Sequence, residues 1–413
     1  MKSRNRKGVL SVFGCCMAAF WAGFLAFGYP GIMGKHWQEI YHVGAAQTGA
    51  VVTFMLFALA CGMFFSGRMH MKLGMRKCIL IGTLFNIAAM IVLMNAKSIG
   101  GVYAWGFITN LGCSFTYGPA LTTAQQWFPH RTGVASGVVN FVFGMAAAAM
   151  SPVFKTVMGT AGYGKMNVIL LVCIVATNLI AMIFAESVEK TKLTDEEKAA
   201  YRELLARVQP GEKGKSSADL TVKQTLKTKE FWILWVVWIF MGAAGISMVS
   251  LSESYALSIG LSGIVVLSAF NLVNGGSRIV AGIMCDAIGG ERTAVIAYVL
   301  TAAGYAMLPF MHSVAGASVS AACIGFGMGT LFTVTGPVAA KRFGLKYFGM
   351  IYGLIFTAYG FIGGILGPAL SGVVLDKTGG NYGIVFGYLA IFALIGAGLM
   401  LVLARTGGGC RGR

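Results

Sequence analysis

An apolar run of about twenty residues is long enough, as a helix rising 1.5 Å per residue, to cross the roughly 30 Å hydrocarbon core of a bilayer. This chain carries twelve such runs: 9–33, 45–66, 78–94, 102–124, 133–159, 167–185, 231–257, 262–285, 293–310, 314–338, 347–375 and 382–403. A water-soluble fold has no means of hiding so many. Hydrophobic residues make up 57% of the 413 and charged residues 11%, whereas soluble domains carry about 25% charged. The same numbers exclude an intrinsically disordered chain. The 58 glycines suit helices that approach closely in lipid, where small residues line the contacts. The expected fold is an all-α integral membrane protein of twelve transmembrane helices embedded in a lipid bilayer.

The net charge of +18 would suit a polyanionic partner if it formed one surface, but it does not. With the N-terminus inside, 26 of the 32 Lys and Arg fall on the cytoplasmic side. Five fall outside (Lys35, Lys97, Lys155, Lys165 and Lys377), and Arg278 lies within a run. That asymmetry is the positive-inside rule. It excludes a nucleic-acid reading and predicts both termini in the cytoplasm of a multi-pass plasma (inner) membrane protein. Lys2, Arg4, Arg6 and Lys7 precede the first run as in a signal peptide, but the run continues past signal-peptide length, so an uncleaved first span is expected. Nine cysteines, mostly inside spans, and five histidines at or near loops form no ligand spacing. Neither a disulfide framework, a metal site nor a cofactor is expected. The spans show no catalytic dyad, which argues against an enzyme. The hydrophilic segment 186–230 is too short for the soluble domain of a sensor.

That segment divides the chain into an N-terminal bundle (1–185), a cytoplasmic linker (186–230) and a C-terminal bundle (231–413). In the linker, Thr194-Asp195-Glu196-Glu197 reads as a capping box opening a short amphipathic helix, which Pro210-Gly211 ends. The basic stretch from Lys223 to Lys229 leads into span seven. A linker of this kind reads chiefly as a solvated segment on an anionic membrane surface. The two halves repeat. Gly133, Gly137, Gly144 and Pro152 match Gly349, Gly353, Gly360 and Pro368 at an offset of 216 residues; Gly67, Gly74 and Gly112 match Gly282, Gly289 and Gly327 at 215. Two pseudo-symmetric six-helix bundles follow, with a site expected near the midplane between them and transport by rocking of one against the other.

Gly282-Ile283-Met284-Cys285-Asp286-Ala287-Ile288-Gly289 resembles the loop signature of the major facilitator superfamily. The first-half copy, Gly67 to Gly74, keeps both glycines and has Met71 where the family usually has an aspartate. Asn271-Leu272-Val273-Asn274-Gly275-Gly276-Ser277-Arg278 resembles span eight of the oxalate/formate antiporter branch. The segment from Trp127 through Pro129, Arg131 and Gly133 to Gly137 is similar to the start of span five in that branch and in the monocarboxylate transporters. Thr228 to Trp235 is similar to their entry into span seven. The acidic, Trp-rich motif that opens span one in animal monocarboxylate transporters is missing. The resemblance implies the major facilitator fold, in a bacterial monocarboxylate transporter homologue working as a monomer. It also gives Gly282, Asp286 and Gly289 the part of a conformational loop, beside the simpler reading of a tight turn.

Arg278 lies seven residues from the end of the span at Cys285, or about 10 Å deep. A charge there costs about 2.5–3.5 kcal/mol on insertion scales and normally faces a polar cavity. Its planar fork matches a carboxylate; the alternative is a structural arginine held by backbone carbonyls. Asn274, four residues earlier, shares its helix face. Tyr117 and Phe332 are repeat-equivalent, as are Phe143 and Tyr359, and Phe356 lies one turn from Tyr359. These aromatics read as a cage for a small organic anion, or singly as core packing. In the oxalate branch a lysine stands at the position of Tyr359, so two cations hold the dicarboxylate. With one cation left, the expected substrate is a monocarboxylate such as lactate, pyruvate, acetate or formate, moving with a proton. The alternative is an organic anion exchanger such as a formate/oxalate antiporter. Glu253, in Ser250-Leu251-Ser252-Glu253-Ser254-Tyr255, is the candidate for proton coupling, beside the simpler reading of an interfacial carboxylate.

Overall fold

The computed structural model describes residues 2–191, 193–208, 219–260 and 263–406. Each long apolar run forms a helix. Helix α1 covers 2–41, interrupted by a π turn at Phe24–Gly28. It is followed by α2 (Ala45–Leu73), α3 (Met75–Met94) and α4 (Ile99–Trp127). Thr132–Phe184 contains α5 and α6, parted at Gly162, whose φ of 80° and ψ of 167° lie outside helical space. After the linker come α7 (Lys229–Ser258), α8 (Gly263–Ile288), α9 (Gly290–Met307), α10 (Val314–Phe343), α11 (Phe348–Thr378) and α12 (Tyr382–Thr406). A π turn at Ala358–Gly363 interrupts α11.

Among the described residues, nine helical stretches are long and apolar enough to cross a membrane, with Pro129–Phe184 counted as one. Helices α4 and α8 are not among the nine; both carry polar groups in mid-helix, Thr109, Asn110, Ser114, Thr116, Thr122 and Thr123 in α4, and Asn271, Asn274 and Arg278 in α8. Large apolar side chains such as Phe13, Phe65, Leu84, Val172, Leu272 and Ile391 are exposed, as a lipid-facing surface requires.

The chain divides into two compact units. One comprises Met1–Val222 with Ala339–Leu354. Helix α4 is its axis, buried without a break from Gly112 to Trp127. Two of its hydroxyls are satisfied locally, Thr116 donating to the Cys113 carbonyl and Thr122 to that of Gly118, at 3.0 and 3.1 Å. Gln125 Nε2 ties α4 to α5 through Ser136 Oγ at 2.7 Å. A Cβ on Gly82 of α3 would stand 2.7 Å from the Gly112 carbonyl oxygen, so these helices pack backbone to backbone.

The two loop signatures share one geometry. Gly67 and Gly282 lie inside helices, and the turn falls on the last glycine of each copy, Gly74 (φ 79°) and Gly289 (φ 92°), a left-handed backbone that glycine adopts without strain. Gly67 rests against the Gly349 backbone. Buried His70 places Nε2 3.0 Å from Thr123 Oγ1 and 3.1 Å from Ser187 Oγ, joining the end of α2 to α4 and to the segment after α6. Asp286 is exposed in the last turn of α8.

The linker helix Asp195–Val208 opens on the expected capping box: Glu197 N–H donates to Thr194 Oγ1 at 3.3 Å and Thr194 N–H to Glu197 Oε2 at 3.1 Å. It docks on protein rather than lying free. Glu197 pairs with Lys7 at 3.1 Å, Tyr201 donates to the Gln126 carbonyl at 2.8 Å, and the Arg4 guanidinium sits 5.9 Å from the Tyr201 ring centre. Burial, reinforced by Glu189 and opposed by Arg4, pushes the Tyr201 phenol up to about 12. Pro210-Gly211 lies outside the described residues.

The second unit comprises Lys223–Val338 and Ile355–Arg413. Two close approaches organise it. Helix α10 lies on α8, with Gly325 against the Phe270 carbonyl and Gly329 against the Ser277 hydroxyl and the Asn274 carbonyl. Helix α11 lies on α7, where a Cβ on Gly363 would stand 2.9 Å from the Ile239 oxygen and 3.0 Å from that of Trp238. Overpacking a tight contact costs about 1–3 kcal/mol. Gly329→Ala is therefore expected to lower the melting temperature of the detergent-solubilised protein by several degrees. Gly398→Ala, with nothing within 4 Å, should leave it unchanged. Equal melting of the two variants would contradict a backbone contact between α8 and α10.

Candidate functional site

The proposed site residues fall into two clusters, one in each unit. In the second unit Arg278 is buried, 3% exposed, and its guanidinium carbon stands 5.1 Å from the centre of the Phe332 ring. A desolvated contact of this kind contributes about 2 kcal/mol, comparable with the cost of placing the charge there. Phe332 meets Tyr359 edge to face at 5.7 Å and 80° and meets Phe356 at 6.1 Å, and Phe356 meets Tyr359 at 5.7 Å. Arg278 and Tyr359 thus share Phe332 as a neighbour. The Tyr359 hydroxyl is fully buried and, among the described residues, has no hydrogen-bond partner. The same holds for Asn274 Oδ1; a side-chain amide can present either its oxygen or its NH2 by a flip. Arg278 is the one buried Lys or Arg among the described residues of this unit.

Local structure explains the placement. Asn274 and Arg278 are one turn apart on α8, where Gly329 brings α10 and Phe332 close. Tyr359 sits on the π turn of α11, an element often found at functional sites. Its ring lies on the backbone of α7: a Cβ on Gly242 would stand 2.6 Å from Tyr359 Cδ2.

In the first unit the repeat-equivalent residues also meet. Tyr117 and Phe143 stack with ring centres 4.1 Å apart and planes at 23°. Tyr117 donates to Asn140 Oδ1 at 2.6 Å, and Asn140 Nδ2 donates to the Ser136 carbonyl at 2.9 Å. The Tyr117 proton is thus committed to Asn140, and toward a ligand this residue offers its ring and an acceptor oxygen. Phe27, on the π turn of α1, meets Phe143 edge to face at 5.9 Å.

Sequence reasoning missed Asn140 and Phe27 in the first unit, and Trp238 and Thr335 in the second. Trp238 is fully buried and contacts Phe332, Phe356 and Tyr359 at 5.0, 5.2 and 5.9 Å. The run Trp235-Val236-Val237-Trp238 carried the signal as an aromatic pair three residues apart on one helix face. Glu253 lies on α7, but its side chain is outside the described residues. Among the described residues no group of three His, Cys, Asp or Glu side chains is placed to hold a metal ion.

Comparison with known proteins bears on this arrangement. The family model of the Major Facilitator Superfamily matches residues 13–368 and, again, 265–408. The oxalate:formate antiporter of Oxalobacter formigenes is 25% identical over 308 residues, covering 73% of this chain and 70% of that protein. Monocarboxylate transporter 13 of Rattus norvegicus is 24% identical over 398 residues, covering 94% and 87%. Among solved structures, the E. coli fucose:proton symporter FucP superposes with a TM-score of 0.70 at 11% identity, covering 96% of this chain and 99% of that one. The human organic anion transporter MFSD10 also reaches 0.70, at 13% identity and the same coverage. The structural likenesses establish the fold. With a family model spanning most of its length, the chain belongs to the Major Facilitator Superfamily of multi-pass membrane transporters.

Proposed function

We propose that the protein is a secondary active carrier of small monocarboxylates, coupled to protons and working by alternating access. The observation that carries this reading is the buried Arg278 guanidinium on the Phe332 face, beside a fully buried Tyr359 hydroxyl with no partner among the described residues. A guanidinium takes a carboxylate through two parallel hydrogen bonds. The phenol adds a third donor, and Asn274 lies one turn along α8. Phe356 gives the carboxylate's carbon tail an apolar neighbour. Similarity to an oxalate:formate antiporter and to a monocarboxylate transporter supports an organic anion as cargo.

Charge decides among the anions. One buried cation neutralises one carboxylate, and a second carboxylate in the same place would lose hydration without compensation. Two six-helix bundles, 1–185 and 231–413, joined by the linker 186–230, form the moving parts of this reading. The protein acts as a monomer in the plasma (inner) membrane with both termini in the cytoplasm. In this reading Tyr117 and Phe143 are the substrate-binding residues of the first unit, and Asp286 with Gly282 and Gly289 forms the loop that responds to the conformational change. Exchange of one organic anion for another is the second reading, favoured by the antiporter relative; counterflow independent of a pH gradient would select it.

Arg278→Lys keeps the charge but loses the planar fork. In proteoliposomes it is expected to reduce labelled lactate uptake at least tenfold at normal expression and folding; uptake near the wild-type rate would refute the bidentate clamp. Lactate, pyruvate and acetate are expected to compete for uptake, and oxalate and succinate are not, with Tyr359→Lys shifting competition toward oxalate. Strong inhibition of the wild type by oxalate would place the protein with dicarboxylate exchangers. An anion crossing alone moves against a negative-inside potential at about 2.3 kcal/mol per 100 mV, and a co-transported proton removes that penalty. An inward proton gradient should therefore accelerate uptake, and Glu253→Gln should abolish this acceleration while sparing exchange. Unchanged gradient-driven uptake in Glu253→Gln would remove Glu253 from the coupling path.

A further inference from the structure

Trp238 occupies a position that the proposed transport reading leaves without a role. It is fully buried on α7. Its Nε1–H donates to Thr335 Oγ1 at 3.0 Å, and the Thr335 hydroxyl donates on to the Leu331 carbonyl at 2.7 Å. The indole is thereby held from α10, and its one polar group is spent. What it presents to its surroundings is an apolar ring.

That ring touches each of the three aromatics around Arg278: edge-on to Phe332 and Tyr359, and tilted against Phe356. Phe332 is the ring under the guanidinium, so Trp238 packs directly on the aromatic group that carries Arg278. One turn along α7, Gly242 seats the Tyr359 ring, and the π turn after Tyr359 rests on the carbonyls of Trp238 and Ile239 through Gly363. Trp235 adds a second tie from α7 to α11, its Nε1–H donating to Thr357 Oγ1 at 3.1 Å. This turn of α7 is fixed to α10 by one hydrogen bond and to α11 by another.

We propose that Trp238 sets the upper size limit of the substrate. With the carboxylate held by Arg278 and Tyr359, the tail is directed at the wall that Trp238 and Phe356 form. Such a wall admits short aliphatic, 2-oxo and 2-hydroxy acids. It rejects branched or longer acids by contact, and polyhydroxylated acids by stripping their hydroxyls of water without offering a partner. A single methylene in an apolar pocket changes selectivity by about 10–200-fold, so one indole suffices to separate three-carbon from six-carbon acids. Trp238 is a positioning and specificity residue in this scheme; the carboxylate chemistry stays with Arg278. The inference rests on the monocarboxylate reading.

The experiment measures kcat and KM in proteoliposomes for lactate and for 4-methyl-2-oxopentanoate, in the wild type and in Trp238→Ala, Trp238→Phe and Thr335→Val. Trp238→Ala is expected to raise kcat/KM for the six-carbon acid relative to lactate at least tenfold. Trp238→Phe should keep most of the wild-type ratio. Thr335→Val, which keeps the ring but frees it, should raise the lactate KM several-fold with kcat retained, a split that general destabilisation would not give. A folded Trp238→Ala carrier with an unchanged ratio overturns the inference while leaving the transport reading intact. If Trp238→Ala does not fold, Trp238→Leu takes its place under the same criterion. Wild-type vesicles inert toward every monocarboxylate overturn the transport reading and this inference with it.

Discussion

A guanidinium inside a membrane helix is the constraint around which the second unit is arranged. Placing it there costs about 2.5–3.5 kcal/mol, and the Phe332 face offsets about 2 kcal/mol of this. The aromatic surroundings hold the charge in place without themselves supplying a counter-charge. Phe332 in turn is held by Trp238, and Tyr359 by the π turn of α11 and the bare backbone at Gly242. Moving any of these rings would alter the surroundings of the charge.

Lipid-embedded helices gain nothing from burying apolar surface against one another, so packing and buried hydrogen bonds hold them together. Several of the glycines accordingly sit beside the proposed site residues. Gly325 and Gly329 bring α10 onto α8 beside Asn274 and Arg278; Gly242 and Gly363 bring α11 onto α7 beside Tyr359. The first unit repeats the scheme with different chemistry. Its stacked pair Tyr117–Phe143 is anchored by Asn140 and capped by Phe27 next to a π turn; the buried cation of this unit, Arg4, lies instead against Tyr201 of the linker helix. The repeat thus preserves the aromatic framework, while the Arg278–Phe332 contact is made in the second unit.

Much of this was legible in the sequence because its causes are local. Apolar runs set the helices, and the glycine offsets of 215 and 216 residues made Tyr117 and Phe332, and Phe143 and Tyr359, repeat mates, each of which meets its same-unit neighbour in the fold. Arg278 stood out as a charge in an apolar run. Other features depend on contacts between residues far apart in the chain. Trp238 shows in the sequence only as half of an aromatic pair with Trp235, and its bond to Thr335, 97 positions on, has no local signature. The π turns at Phe24–Gly28 and Ala358–Gly363 arise without proline at their centre. The loop-signature glycines read as turns as a group, yet only the last of each copy, Gly74 and Gly289, adopts a left-handed backbone. The linker helix followed its capping box faithfully, while its docking through Glu197 and Tyr201 depended on Lys7 and Gln126, remote in sequence.

The central claim is that the carboxylate of the cargo sits in the fork of Arg278. Solid-state NMR of the protein in lipid, with 15N-guanidinium arginine and 13C-carboxylate lactate, tests it directly through the dipolar coupling between the two labels. Hydrogen bonds of about 2.7–2.9 Å from guanidinium to carboxylate require strong mutual dephasing in the wild type, and its loss in Arg278→Lys loaded with the same bound lactate. Lactate shown to be bound, with no dephasing to any guanidinium or with dephasing that survives Arg278→Lys, would contradict the claim.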